Sequence, residues 1–166
     1  MKQMLYKTAA WWAVLGGVLA LIISVVTMVN VTAFGLDRLA RHFGENVPAI
    51  IGYEDFVSLL VSCAVLMFFP YCQTRHGHVA VDVFMKLFPA GFGRIVQIVS
   101  STLMTLLAAF LAWMMFNGLF EVRGDNTLSS ILGWQIWPFY VPGILSLILW
   151  TLISASQIFE KEDHHV

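Results

Sequence analysis

Residues 8–36 read TAAWWAVLGGVLALIISVVTMVNVTAFGL, 29 consecutive positions without an acidic or basic side chain. A helix needs about 20 mainly apolar residues to cross roughly 30 Å of hydrocarbon at about 1.5 Å per residue. This run exceeds that length. A membrane β-strand would show short segments of alternating polarity. Here Ala13 to Val29 is almost continuously apolar, and Ser24 and Thr27 are too sparse to set a period of two. The stretch is therefore read as a membrane-spanning helix.

Three further uncharged runs follow, at residues 56–74, 95–120 and 127–159, with most charges lying in the gaps between them. The chain is 59% hydrophobic and 11% charged, with a mean hydropathy of +0.80. A soluble domain of 166 residues has too little polar surface here to hide four such runs from water. The expected fold is all-α: one membrane domain over residues 1–166, with helices near 10–33, 51–73, 94–120 and 137–159.

The gaps set the orientation. Four crossings put both termini on the side of the middle loop. That side carries Lys2, Lys7, Arg75, Lys86, Arg94 and Lys161, against Arg38, Arg41 and Arg123 on the other. The positive-inside rule places both termini in the cytoplasm. Lys2 and Lys7 before an apolar run resemble a signal peptide superficially. The run is longer than an h-region and shows no small-residue cleavage site, so it reads as a retained first helix.

Within the first helix, Ala13, Gly16, Ala20 and Ser24 recur at spacings of three and four, a register that lets another helix approach closely. Trp11 and Trp12 suit the membrane interface. In the second, Glu54 and Asp55 fall in the first turn, where acidic groups match unpaired amides and the positive end of the dipole. The alternative for this pair is contact with a partner subunit. Cys63 and Cys72 are nine positions apart, on opposite faces, and read as apolar packing residues.

After the second helix, His78, Asp82 and Lys86 share one face of a helical reading, with Val81, Phe84 and Phe88 on another. An amphipathic helix over residues 76–88, lying in the headgroup plane and ending at Pro89-Ala90-Gly91, is expected. His76 and His78 sit about 200° apart on such a helix and do not chelate a metal from one face.

In the last run, 33 uncharged residues exceed one untilted crossing. The fourth helix is expected to begin near Trp137, preceded by a surface or re-entrant piece. Trp134, Trp137 and Tyr140 then mark the outer interface, and Pro142-Gly143 is expected to bend the helix against a neighbour.

Function classes narrow on the same grounds. The nine basic residues are scattered, with no stripe for a nucleic-acid backbone. The sequence offers no Ser/His/acid set inside a helix and no phosphate-cradling loop, so an enzyme is not expected. His42, His76, His78, His164 and His165 all lie outside the uncharged runs. A haem-carrying membrane anchor of a redox complex, the alternative reading, would need axial ligands within the bundle. The runs also carry no ionisable group of the kind that marks a proton or ion path. These features fit an accessory or scaffold protein.

Between and around these helices the sequence resembles a known family, the small membrane subunit (DctQ-like, or Q subunit) of tripartite ATP-independent periplasmic (TRAP) transporters. The likeness rests on the acidic start of the second helix at Glu54, the helix leading to Tyr71, then RHGHVAVDV at residues 75–83. GHVAVDVF at residues 77–84 is its most specific piece. The aromatic and proline run from Trp134 to Gly143 adds to it.

The resemblance implies sodium-coupled import of an organic acid, such as a dicarboxylate or sialic acid, across a bacterial or archaeal cytoplasmic (inner) membrane. It implies two partners, a large membrane subunit (DctM-like, M subunit) and a periplasmic solute-binding protein. Sodium ions belong to the large subunit, and no cofactor is expected in this one. On this chain, Arg75, His78, Asp82 and Lys86 are then candidates for membrane-surface or subunit contacts. Arg38, Arg41, Glu54, Asp55, Glu121 and Arg123 are candidates for periplasmic or partner contacts.

Overall fold

The computed structural model describes residues 2–43, 51–75 and 90–158. The amphipathic helix expected over residues 76–88 lies outside them. Four long helices carry the architecture: α1 (Lys2–Ala40), α2 (Tyr53–Thr74), α3 (Ala90–Gly124) and α4 (Tyr140–Ile158). Each contains a stretch long and apolar enough to cross a membrane.

The helix ends differ from the sequence expectation for local reasons. α1 continues past the apolar stretch on both sides. At its far end Arg41 Nε donates to Asp37 Oδ2 at 2.8 Å, an i,i+4 ion pair that supports the added turn. Backbone turns, not side-chain caps, finish the others. Gly52, at φ 82°, turns the chain into α2, and Phe56 N–H donates to its carbonyl. Asp125 N–H and Thr127 N–H close α3 by donating to the carbonyls of Glu121 and Val122.

The last run begins as a hairpin. Residues 127–136 fold back on themselves: Ser129 N–H donates to Trp134 O at 2.8 Å, Ile136 N–H to Thr127 O at 3.3 Å, and Leu128 faces Gln135 in an antiparallel bridge. Gly133, at φ 64°, supplies the left-handed turn. A 3-10 turn, Trp137–Phe139, leads into α4. Pro142 therefore sits in the first turn of α4, where no amide is needed, and carries no interruption of a formed helix. At Gly143 the helix is closely approached by Leu66 and Met115.

Packing follows sequence neighbours and then joins them. α1 lies against α2, and α3 against α4, each pair antiparallel; α2 and α4 run side by side in parallel, with a lighter contact from α1 to α4. The structure is thus two helical hairpins docked along α2 and α4. Ala108, Leu147 and Trp150 form the apolar centre, with Leu66, Met104, Ala112 and Met115 packed around it. Burial ranks the helices: 39% of the most apolar window of α4 is buried, against 6% for α1. α4 is the hub, and α1 is an edge.

Candidate functional site

At the end of the bundle that carries the 127–136 hairpin, sequence points to six charged residues. Phe34, Gly35, Asp37, Arg38 and Arg41 line an open hollow of about 620 Å³ at the end of α1. Arg41 is held by Asp37. On α3, the Arg123 guanidinium lies 5.2 Å from the centre of the Trp137 ring, a cation–π placement. Glu121 and Glu54 are exposed. Because α2 and α4 separate α1 from α3, the residues do not converge into one cluster.

Asp55 does something the sequence does not announce. The expectation was an acidic group serving the amides of its own helix. Instead its Oδ2 accepts from Ile131 N–H at 2.6 Å and from Leu132 N–H at 3.0 Å. Two backbone donors converging on one carboxylate make a charge-assisted clasp. It fastens the tip of the 127–136 hairpin to the first turn of α2. Leu132 also rests on Gly52, where an added Cβ would come within 2.6 Å of Leu132 Cδ2. The Phe56 and Trp134 rings meet edge to face at 6.2 Å.

At the C-terminal end of α2, Arg75 Nε donates to Tyr71 OH at 3.1 Å and its guanidinium lies 5.5 Å from the ring centre. His78, Asp82 and Lys86 lie outside the described residues.

The small-residue stripe of α1 divides. Ala13 and Gly16 are buried. A Cβ on Gly16 would come 3.0 Å from Met67 Cβ and 3.3 Å from Ala64 O, so the missing side chain lets α1 and α2 approach closely here. Ala20 is half-buried, and Ser24 is exposed, its hydroxyl donating to Ala20 O at 2.9 Å. Ser24 satisfies itself on its own helix and is no part of the seam.

Three polar side chains outside the expected set carry inter-helix bonding near the C-terminal ends of α2 and α4. Gln73 Nε2 donates to Gln157 Oε1 at 2.6 Å, Gln157 Nε2 to Gln73 O at 2.9 Å, and Trp150 Nε1 to Gln73 Oε1 at 3.1 Å. All three residues are buried, and Phe69 stacks on Trp150 at 5.0 Å. Two further bonds tie the hairpins nearer the middle. Trp12 Nε1 donates to Ser146 Oγ at 2.8 Å, and Cys63 Sγ to Phe139 O at 3.1 Å. Trp11 remains exposed as an interface indole should, whereas Trp12 turns inward. A signal for the glutamines existed: both are amides at the ends of apolar runs. Their distance of 84 residues hid the pairing.

The site therefore offers polar fastening between helices and charged ends at two membrane surfaces. Among the described residues there is no group of three metal-ligating side chains.

Comparison with known proteins agrees with that character. Residues 35–163 match the family described as tripartite ATP-independent periplasmic transporters, DctQ component. Neither the curated proteins nor the solved structures provide a match. The match covers α2, α3, α4 and the C-terminal end of α1, and the described residues include four helices able to span a membrane. This multi-pass membrane protein belongs to the DctQ family, the small membrane component of a tripartite transporter.

Proposed function

We propose that this chain is the fixed scaffold subunit of a sodium-coupled transporter that imports organic acids together with a large membrane subunit and a periplasmic solute-binding protein. Family membership carries the reading. The uncharged helix interiors support it, because ion and substrate pathways ordinarily expose ionisable groups at membrane depth. So does the satisfaction of buried glutamines by one another, which leaves them as fastenings and not as ligands. The coupling ions and the substrate then belong to the larger partner, and this chain binds no cofactor. Both termini face the cytoplasm, and the 127–136 hairpin faces the periplasm.

The expected partner is recovered by mild purification from native membranes in fixed stoichiometry with this chain. Liposomes holding both membrane subunits take up an organic acid on a sodium gradient when the binding protein is added, and liposomes lacking the large subunit do not. Sodium-driven uptake by this chain alone would overturn the scaffold assignment.

A further inference from the structure

The 127–136 hairpin carries three large apolar side chains that the protein leaves uncovered: Leu128 is 53% exposed, Ile131 52% and Trp134 45%. Its position is fixed. Asp55 clasps the amides of Ile131 and Leu132, Leu132 rests on Gly52, and Trp134 meets Phe56. The hairpin tip thus stands level with the first turn of α2, where the membrane-spanning stretch of that helix begins. Behind it, Trp137 bridges to the hairpin through Nε1 donating to Gln135 Oε1 at 2.9 Å, while Arg123 covers the same ring.

We infer that this hairpin is a lipid anchor: Leu128, Ile131 and Trp134 seat in the boundary between headgroups and acyl chains of the leaflet next to the start of α2. Three observations favour lipid over water or protein. First, the apolar tip is at the height where the neighbouring helix enters hydrocarbon, and its three large apolar side chains are about half exposed there. Second, the backbone at the tip does not face lipid bare. The amides of Ile131 and Leu132 are spent on Asp55 and those of Gly133 and Trp134 on Ser129, so four consecutive tip donors are satisfied, as backbone near a membrane requires. Third, indole and guanidinium groups cluster at its base, the pairing that membrane–water boundaries favour. The carboxylate of Asp55, held by two N–H donors, keeps the apolar tip at that depth.

The test places a nitroxide at single cysteines, Leu128→Cys, Ile131→Cys and, as the alternating tip position, Ser130→Cys, in a Cys63→Ser, Cys72→Ser background, where serine at 63 keeps a donor for the Phe139 carbonyl. The full chain is purified with its co-purifying components into lipid nanodiscs. Collision with oxygen, which concentrates in lipid, is compared with collision with a water-soluble nickel chelate. Oxygen is expected to exceed nickel several-fold at 128 and 131, with the order reversed at 130. Asp55→Leu is expected to shift the label at 131 toward the nickel side while helix content by circular dichroism is unchanged. Easy access of nickel to both 128 and 131 would overturn the proposal in favour of a water-facing loop. Protection from both reagents would overturn it in favour of a protein-covered surface.

Discussion

The seam between α1 and α2 and the seam between α2 and α4 solve the same packing problem with different chemistry. The first joins helices that follow one another in the chain, and it is closed by size: Gly16 lets Met67 and the Ala64 carbonyl come near, with Ala9 and Ala13 buried in the two turns before it. The second joins helices from different halves, and polar groups run along its length: Asp55 to the hairpin, Cys63 to Phe139, Gln73 to Gln157 and Trp150. In lipid no hydrophobic drive separates right from wrong neighbours, so association rests on close fit and on hydrogen bonds. Close fit suffices where the connecting chain already restricts the register. Between halves, directional bonds choose it.

The largest expected effect comes from the point where three helices meet. Gly143 on α4 faces Leu66 of α2 and Met115 of α3, and a Cβ there would come 2.8 Å from Leu66 Cδ1. Gly143→Leu forces the halves apart and is expected to cost about 3 kcal/mol, since overpacking commonly costs about 1–3 kcal/mol and a leucine adds more than one methyl. Unfolding in bicelles by rising detergent fraction, followed by tryptophan fluorescence, measures it. An unchanged midpoint would show that the halves do not meet as closely as the seam requires.

Next is the glutamine pair. Gln73→Leu removes the acceptor of Trp150 and the side-chain donor to Gln157 Oε1, leaving only the bond from Gln157 Nε2 to the residue-73 carbonyl, and is expected to cost about 1–3 kcal/mol. The double change with Gln157→Leu is expected to cost less than the sum of the singles, because the residues share one network. Strict additivity would dissolve the contrast between the seams.

Smallest is Gly16→Ala, where one methyl must move Met67 by a few tenths of an ångström; about 1 kcal/mol is expected in the same assay. If it exceeded Gln73→Leu, size and not polarity would be the stronger determinant across the whole molecule.

Much of this was legible in advance, and for definite reasons. Uncharged length marks a crossing helix wherever it falls, so the four crossings could be read from residues 8–36 and the three runs after it. Helix ends could not be placed well, because the Asp37–Arg41 pair and the Gly52 turn act beyond the apolar window that betrays the helix. At the candidate site, Gly16 was readable from its spacing, whereas Ser24, on the same spacing, bonds to its own helix. Spacing reports which face a residue is on, not whether a neighbour reaches that face. Asp55 and Gln73 were unreadable for another reason: their partners stand 76 and 84 residues away, and no periodicity carries such a distance.

That same distance has a consequence in time. Gln157 leaves the ribosome 84 residues after Gln73, an interval of about 4–17 s at about 5–20 residues per second. Through that interval the first hairpin is in the membrane with the face of α2 that will meet α4 still open, its amide and its carboxylate ahead of the backbone and side chains they will hold. α4, made after the other three, is thus the helix that commits the fold, and a chain stalled after α3 presents the cell with a half-zipped polar face inside a bilayer.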